Sequence, residues 1–417
     1  MLERTYHDPL HGAITLNGTD PTEALLIQLI DTPAFQRLRR IRQLGPASLT
    51  FHGAEGSRFT HSLGVMAIAR RAFDRLAKFY PQLCSYRALV LTAALLHDIG
   101  HGPFSHTGEE IFATQHERWT HRIVQEDERI RHCLETLQPD FPQQLVQVYS
   151  KQFPIPIVWQ LVSSQLDCDR LDYLMRDSYF TGASYGKIDL DRILLALRFD
   201  PVTQQLVVAR KGLAAIEHYL IVRYFMYAQV YNHPKNLAAT RLLDQLFKRA
   251  RWLLRQENLG SDPIMAAWLS ETPQSMTLQN YLEADDSLLL YHLQRWRSHS
   301  DPILSDLCRR YCDRDLPKAV DLSHLSPAEQ QKQFIQAQSC IGRVLPAIAT
   351  SAIDYYVGLS VSLSRGYTLY QKGINLQTTQ GLREISELSP LVKTLVQPLK
   401  RTWLICPKEV AIALSID

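Results

Sequence analysis

The most constraining feature of the sequence is an apolar segment that ends in an adjacent histidine and aspartate. Residues 95–106, Leu-Leu-His-Asp-Ile-Gly-His-Gly-Pro-Phe-Ser-His, continue a helical pattern that begins near Ser85 and breaks at the Gly-Pro turn. A single histidine on such a helix is usually a hydrogen-bonded core residue. The pair His97 and Asp98 is different, because burying an unpaired carboxylate carries a large free-energy penalty. A bound divalent cation removes that penalty, so the segment predicts a metal site.

Two other positions offer ligands of the same kind. His61 lies at the beginning of a helix predicted over residues 60–80. Asp169 and Asp167 lie on an otherwise apolar helix predicted from about residue 156 to 177. Imidazole and carboxylate ligands suit manganese, iron, zinc, nickel or magnesium, and the sequence does not choose among these ions.

Most of the chain follows a helical pattern of apolar residues. Two short helices are expected within residues 21–44, separated by Asp-Thr-Pro at positions 31–33, and a longer helix over residues 212–232. A hairpin is expected at residues 197–209, where two alternating apolar stretches flank Asp-Pro-Val-Thr. The β-branched stretch from residue 402 onward is expected to contain a strand. The pattern predicts a mainly α fold with a few short strands.

Chain length indicates two structural parts. The 417 residues exceed the roughly 250–300 at which a single hydrophobic core stops growing. Glycine and proline punctuate weaker helices near residues 255–280. We therefore predict a catalytic core at residues 1–255 and a smaller helical lobe with some β structure at residues 256–417. The lobe is expected to pack on the core and to take part in a homo-oligomer, either a dimer or a tetramer.

Charge and cysteine usage narrow the partners and the compartment. The formal net charge is only +3 and no long block of like charge occurs, so small anionic ligands are favoured and nucleic acid, although compatible, is not indicated. The seven cysteines are scattered, and no signal peptide is apparent. We therefore expect reduced thiols in a cytoplasmic protein. No apolar run approaches the roughly 20 residues that a membrane span needs.

The order His, His-Asp, Asp resembles that of the HD-domain metal-dependent phosphohydrolases. A wider set of segments resembles the deoxynucleoside triphosphate triphosphohydrolase branch, which includes bacterial members and the vertebrate enzyme with a SAM domain. The segments are DPLHG (8–12), IDTPAFQRLRRIRQLG (30–45), RFTHSLGV (58–65), LLHDIGHGPFSH (95–106), WTH (119–121), LDCDRLDYLMRDS (166–178) and VRYFMYAQVYNH (222–233). The resemblance implies an HD-domain helical core and an enzyme that releases deoxynucleoside and inorganic triphosphate.

The metal ligands that the resemblance implies are His61, His97, Asp98 and Asp169. Asp169 is preferred because it precedes Arg-Leu-Asp-Tyr, as the family ligand does, which makes Asp167 a residue behind the ligands. Asp172 is expected to form a structural ion pair.

The sugar 5′ oxygen is a poor leaving group, so the reaction needs a proton donor. The resemblance offers His101, His106 and a pair formed by Glu109 with His121. A carboxylate beside an imidazole raises its pKa, which makes His121 the preferred acid. His116 matches no role and is expected to be exposed. For each of these histidines alone, surface or packing roles are the alternative.

The resemblance also implies a set of substrate-binding residues, which are Gln43, Leu44, Arg58, Arg170, Tyr173, Asp177, Arg223, Tyr227 and Tyr231. The three arginines match phosphate ligands, and the planar guanidinium suits that role. Arg170 stands where the vertebrate enzyme has lysine, which retains the charge and leaves the detailed contact open.

Four of these residues match positions around the sugar. Tyr231 and Leu44 correspond to groups that crowd the 2′ carbon, and Gln43 and Asp177 to groups that read the 3′ hydroxyl. Arg223, Tyr227 and Tyr231 recur every four residues along one helix face. Such an aromatic stripe, taken alone, is more often part of a core.

A further four residues match a site where the vertebrate enzyme reads an activating guanine nucleotide, and they are Arg4, Asp31, Gln36 and Arg39. Magnesium could accompany that nucleotide. Helix caps and surface charges are the alternative interpretation, and Arg4 replaces a lysine.

Two other functions remain open. A phosphodiesterase or guanosine polyphosphate hydrolase of the wider HD superfamily would share the metal ligands. A nucleotide-sensing or nucleic-acid-binding scaffold would share the pocket without turnover, although the complete ligand set and the acid candidates argue against it.

Overall fold

The computed structural model describes residues 3–346, 350–369 and 373–416. The described residues form a mainly α fold, which confirms the predicted fold class. The helices are α1 Pro21–Ile30, α2 Pro33–Gln36, α3 Arg58–Phe79, α4 Arg87–Leu96, α5 Ser105–Phe112, α6 His116–Glu126, α7 Glu128–Leu137, α8 Phe141–Tyr149, α9 Pro156–Gln160, α10 Cys168–Thr181, α11 Leu190–Ala196, α12 Leu213–Met226, α13 Pro234–Arg255, α14 Pro263–Ser270, α15 Leu278–Glu283, α16 Asp286–Trp296, α17 Pro302–Cys312, α18 Pro327–Val344, α19 Ile385–Leu388, α20 Pro390–Leu395 and α21 Lys408–Ala413. Within the described ranges, no helix is both apolar and long enough to cross a membrane.

Three small sheets accompany the helices. The strands are β1 Glu3–Asp8, β2 Gly12–Asn17, β3 Leu197–Asp200, β4 Gln205–Ala209, β5 Lys318–Asp321, β6 Gly358–Ser364, β7 Asn375–Thr378, β8 Gly381–Glu384 and β9 Leu399–Cys406. β1 and β2 form an antiparallel hairpin. The second sheet has the order β3-β4-β7-β8, in which β4 and β7 are parallel, and the third is an antiparallel β5-β9-β6 sheet. The predicted hairpin at 197–209 is confirmed as β3 and β4, whereas the β1-β2 hairpin was not predicted.

The hydrophobic side chains form two large cores. The first contains the buried faces of α1, α3, α4, α10 and α12, and the second those of α13, α14, α16, α17, α18 and β9. Along this part of the chain, Val230 is the last residue of the first core and Leu242, in α13, begins the second. Phe104 and Trp119 extend from the N-terminal half into the second core, and Leu376 and Ile385 return to the first. The two lobes therefore interlock, and the limits 1–255 and 256–417 stay a prediction.

The prediction of one continuous helix over residues 156–177 is wrong. α9 ends at Gln160 and α10 begins at Cys168. Between them, Asp167 accepts hydrogen bonds from the backbone N–H groups of Ser164 and Arg170, both at 2.7 Å. Short polar side chains compete in this way with helical hydrogen bonds, so the segment turns and restarts with Asp167 as the cap of α10. This restart fixes the direction in which Asp169 faces.

Candidate active site

Three helices bring the four predicted metal ligands together. His61 lies in the first turn of α3, His97 and Asp98 follow α4, and Asp169 lies in the first turn of α10. His61 Nε2 is 3.1 Å from Asp169 Oδ1 and 3.4 Å from Asp98 Oδ2. His97 Nε2 is 3.3 Å from Asp98 Oδ1 and 3.6 Å from Asp169 Oδ1. Ligand atoms of His61, His97 and Asp169 thus lie within 4.8 Å of one another. Asp98 lies beside this group, with one oxygen near each imidazole, and its Oδ2 also pairs with Arg58.

The chemistry of these donors fits a divalent cation. His97 Nδ1 donates to the Ala94 carbonyl at 2.8 Å, and its Nε2 has no hydrogen-bond partner among the described residues. Burial alone would lower the pKa of His61, but hydrogen bonds to Asp169 and Asp172 raise it to about 10. Burial would raise the pKa of Asp169, but the adjacent His61 and His97 imidazoles instead hold it well below its usual range. A buried cluster that favours positive charge this strongly is suited to hold a metal ion.

A buried network supports His61 from behind. Its Nδ1 donates to Asp172 Oδ2 at 2.7 Å, and Asp172 also bonds His11 Nε2 at 2.6 Å and Arg176 Nε at 2.7 Å. Arg176 continues to Asp8 at 2.9 Å, in the turn of the β1-β2 hairpin. The structural ion pair expected for Asp172 is present. It fixes the tautomer and orientation of the His61 ring, as carboxylates behind metal-bound histidines do.

A second cluster lies beside the first, centred on Glu109. Glu109 Oε1 accepts from His116 Nδ1 at 2.6 Å, and Oε2 accepts from His106 Nδ1 at 2.9 Å. The rings of His116 and His101 stack with their centroids 4.0 Å apart, and His101 Nε2 is 3.4 Å from Asp98. The cluster therefore connects Glu109 to the metal ligands through stacked imidazoles.

The expectations for His116 and His121 are corrected here. The His116 side chain is only 16% exposed and pairs with Glu109, so it lies within the site and not at the exposed surface. His121 forms no ion pair with Glu109 in the part of the chain that is described; its ring lies near Tyr149. α6 begins at His116, and His121 is five residues further on, which turns it to another side of the helix. The helix start at Gln115-His116 is the sequence signal that could have identified His116.

The surroundings of the two stacked imidazoles shift their pKa values in opposite directions. Burial would lower the pKa of His116, but its bond to Glu109 raises it. For His101, burial and the nearby Arg58 both lower the pKa. Burial would raise the pKa of Glu109, whereas its bonds to His106 and His116 hold it well below its usual range. Of the two stacked imidazoles, His116 is therefore the one whose surroundings favour the protonated form.

Arg58 bonds both to a predicted metal ligand and to residues in the wall of the cavity. It is buried, and its Nη1 lies 2.5 Å from Asp98 Oδ2. Its Nε donates to Ser105 Oγ at 3.0 Å and its Nη2 to the Gln43 carbonyl at 3.3 Å. The second predicted phosphate ligand, Arg170, pairs with Asp167. Arg223 donates to Gln165 Oε1 at 2.9 Å, which turns it away from the cavity wall.

At the other end of the cavity, α10 meets the end of α12. Residues 227–231 form a π-helical turn, which brings the Tyr231 hydroxyl to 2.8 Å from Asp177 Oδ2. The Tyr173 and Tyr227 rings lie 6.1 and 5.0 Å from the Tyr231 ring. Burial raises the pKa of Asp177 to about 7.

A single cavity of about 600 Å³ connects these groups. Its lining includes the predicted metal ligands His97, Asp98 and Asp169, together with His106 and His116. Every predicted substrate residue except Arg223 also lines it, namely Gln43, Leu44, Arg58, Arg170, Tyr173, Asp177, Tyr227 and Tyr231. A concave site of this size matches the volume that small-molecule pockets usually have.

The four residues of the expected nucleotide-activator site lie at the surface in two pairs. Arg4 forms an ion pair with Asp31. Gln36 Oε1 accepts from Arg39 Nε at 2.7 Å, and the Arg39 guanidinium lies 3.6 Å from the Phe59 ring centroid. Their role stays a prediction.

Comparisons with known proteins agree with this geometry. The HD domain model matches residues 58–138, and the HD associated region model matches residues 188–408. The chain is 39% identical over 404 residues to the uncharacterized protein YwfO of Bacillus subtilis, covering 94% of this chain and 89% of the relative.

Two further comparisons concern proteins with named activities. A deoxynucleoside triphosphate triphosphohydrolase SAMHD1 homolog from Dictyostelium discoideum is 29% identical, over 76% of this chain and 59% of that protein. The crystal structure of a phosphohydrolase from Bacteroides thetaiotaomicron superposes with a TM-score of 0.84 at 29% identity, covering 97% and 99% of the two chains. Together with the matched models and the metal-ligand cluster, these findings show that the chain belongs to the HD-domain phosphohydrolase family.

Proposed function

We propose that the protein hydrolyses deoxynucleoside triphosphates to deoxynucleoside and inorganic triphosphate. The observation that carries the proposal is the shared cavity: the metal-ligand cluster and Arg58 line the same space as the Tyr231-Asp177 pair. One end is suited to a phosphoryl group, and the other offers an aromatic surface with a carboxyl and a hydroxyl. A triphosphate joined to a sugar has that sequence of chemical groups.

His61, His97, Asp98 and Asp169 would hold a divalent ion in this proposal. When bound, such an ion withdraws charge from phosphoryl oxygens and increases the acidity of water. Arg58 and Arg170 would bind the remaining phosphate oxygens, and Arg58 is held ready by Ser105 and Asp98. Guanidinium groups fixed in this way stabilise the negative charge that develops during the reaction.

The proton for the leaving group is assigned to His116. In the overall reaction, the oxygen of water bonds to the α-phosphorus and the bond from that phosphorus to the 5′ oxygen breaks. The 5′ oxygen takes a proton from the His116 imidazolium, and the proton that water loses passes to solvent. His116 lines the cavity and its bond to Glu109 raises its pKa, whereas His101 is buried behind it with a lowered pKa. Glu109 keeps the imidazolium in place and does not itself transfer the proton.

Selectivity for deoxyribose would come from the far end of the cavity. Asp177 and Gln43 would bond the 3′ hydroxyl, and the Gln43 Oε1 has no hydrogen-bond partner among the residues described. Tyr231 is fixed by its bond to Asp177, and with Leu44 it would leave no room for a 2′ hydroxyl.

Activation by a guanine nucleotide is the finer part of the proposal. Arg4, Asp31, Gln36 and Arg39 would bind it at the surface, where two arginines supply positive charge. The protein would then act as a homo-oligomer, because the same surface would contact a second subunit.

The test is a substrate panel on purified protein supplied in turn with manganese, iron, zinc, nickel and magnesium. Deoxynucleotides, ribonucleotides, a phosphodiester and guanosine tetraphosphate are compared with and without added guanosine triphosphate. Release of inorganic triphosphate from deoxynucleotides only, abolished in His97→Ala, supports the proposal. Release of monophosphate or pyrophosphate from the other compounds would favour the wider HD superfamily, and absence of any product difference between wild type and His97→Ala would contradict hydrolysis.

A further inference from the structure

The loop that carries the catalytic groups has an unusual backbone at Phe104 and Ser105. Both residues have positive φ angles, 59° and 53°, in a region that non-glycine residues rarely occupy. Phe104 immediately precedes α5 and Ser105 is its first residue, and the same helix bears His106 and Glu109. Two successive residues in this conformation persist only where the surroundings hold them.

One side chain from the C-terminal half of the molecule bonds this loop directly. Asp286, in the first turn of α16, is 4% exposed. Its Oδ1 accepts from the backbone N–H of Phe104 at 2.7 Å, and its Oδ2 accepts from the backbone N–H of Arg42 at 3.0 Å. One carboxylate thus connects two segments that lie 62 residues apart in the chain.

Both segments contact Arg58. The Ser105 hydroxyl donates to the Arg42 carbonyl at 2.6 Å and accepts from Arg58 Nε at 3.0 Å. The Gln43 carbonyl accepts from Arg58 Nη2 at 3.3 Å. Asp286 therefore binds the N–H groups of Phe104 and Arg42. Phe104 precedes Ser105 in the chain and Arg42 precedes Gln43, and Ser105 and Gln43 are the residues that bond Arg58.

The same short stretch of the C-terminal half makes further bonds to the loop. The Tyr281 hydroxyl donates to the Gly100 carbonyl at 2.6 Å. The buried Arg37 donates to the Ala284 carbonyl at 3.1 Å and to the His101 carbonyl at 2.7 Å. These contacts place residues 281–286 along the whole turn that follows the metal ligands, with Asp286 at the point nearest to Arg58.

We propose that Asp286 is a positioning residue that sets Arg58 and the His106-Glu109 cluster in their places relative to the metal ligands. It touches neither substrate nor metal and acts through the backbone of Arg42 and Phe104. The kinetic part of this inference rests on the proposed hydrolysis of deoxynucleotides, and the part that concerns loop order does not. Small displacements of positioned groups can reduce turnover by about a hundredfold.

Asp285 provides a matched control. It is the adjacent residue and caps α16 through the Ser287 and Leu288 N–H groups, and its other partner is the exposed Arg40. Asp285→Ala therefore removes a carboxylate from the same helix terminus without touching the loop. Asp286→Asn is the conservative variant, because its amide oxygen can accept from only one of the two N–H groups.

The experiment measures three quantities on the full chain for wild type, Asp286→Ala, Asp286→Asn and Asp285→Ala. They are hydrogen exchange in peptides covering residues 40–44 and 102–106, bound metal per chain, and kcat and KM for a deoxynucleotide. For Asp286→Ala we expect faster exchange in both peptides and a kcat about 10–100-fold lower at unchanged metal content. Asp286→Asn should lie between, and Asp285→Ala should resemble wild type in all three.

If both peptides exchange at the same rate in Asp286→Ala as in Asp285→Ala, the inference is overturned. It is also overturned if the loss of kcat in Asp286→Ala is fully explained by a smaller fraction of folded protein. Asp286→Asn decides the matter if the alanine variant does not fold. Wild-type protein that hydrolyses no deoxynucleotide would refute the proposed function, and the exchange of these peptides would then decide whether Asp286 orders the loop.

Discussion

Replacement of His116 by glutamine tests the assignment of the proton donor. His116 donates to Glu109 at 2.6 Å, and both side chains are about 15% exposed, so their interaction is only weakly screened. Glutamine can still donate to Glu109 but cannot deliver a proton. A positioned general acid contributes about 10²–10⁴ in rate, which at 1.36 kcal/mol per tenfold is about 2.7–5.4 kcal/mol of transition-state stabilisation. We therefore expect kcat to fall by that factor with little change in KM.

The matched control is His121→Gln, because His121 lies on the same helix and makes no ion pair with Glu109 among the residues described. Steady-state triphosphate release is measured for both variants, with thermal unfolding to confirm that each is folded. The analogue p-nitrophenyl triphosphate carries a phenolate in place of the nucleoside 5′ oxygen, and this phenolate leaves the α-phosphorus without needing a proton, so the analogue should lose much less activity in His116→Gln. If His121→Gln is the slower enzyme, or if the analogue loses as much activity as the nucleotide, the assignment of His116 is refuted.

Three further predictions concern groups around the cavity. The pKa of Asp177 is raised from 3.8 to about 7 by burial, so its ionisation disfavours folding increasingly as pH rises through that window. The free energy of unfolding of Asp177→Asn should therefore exceed that of wild type at pH 8 by at most about 4 kcal/mol, and the two should be equal near pH 4. Urea unfolding at both pH values measures this difference, and a difference that does not change with pH would contradict the prediction. Asp172→Asn should weaken metal binding by about 10–100-fold, because it releases the His61 ring, as chelator competition would show. A methyl group on Gly64 would lie 2.0 Å from Asp172 Oδ1, so Gly64→Ala should lose about 1–3 kcal/mol of stability, whereas Gly260→Ala, with open space at that position, should lose little; equal unfolding midpoints for the two variants would count against this packing argument.

Local sequence signals predicted much of the helical fold, and together with the family resemblance they selected the four residues that the structure brings together at the candidate metal site. Adjacent His97 and Asp98 at the end of an apolar helix, and a cap before His61, are determined by residues within one or two turns of each other. The hairpin at 197–209 is likewise a local feature. Contacts between residues that are distant in the sequence could not be predicted from such local signals. The partner of Glu109 depends on the path of the chain between α5 and α6, and the sequence offered two histidines at similar separations.

The turn before α10 was not predicted, for a different physical reason. Residues 156–177 are apolar at helical spacing, but the Asp167 carboxylate and the Ser164 hydroxyl accept bonds from backbone N–H groups where the helix breaks. Hydrophobic periodicity does not register such local hydrogen bonds. The β1-β2 hairpin was missed because its strands alternate only weakly between buried and exposed residues, yet its turn supplies Asp8 and His11 to the network behind His61.

The interlocking of the two cores explains why the C-terminal half matters to a site whose ligands all lie before residue 170. The Phe104 side chain is buried in the second core while the following residue, Ser105, bonds Arg58. A Cβ on Gly102 would lie 2.8 Å from the Trp268 ring, so the turn after the metal ligands is shaped directly against the second core. Because packed interiors do not deform continuously, a change in that core would move the loop and the groups attached to it. The turn after His97 and Asp98 is thus a shared boundary of the two cores, and residues from both halves of the chain determine its shape.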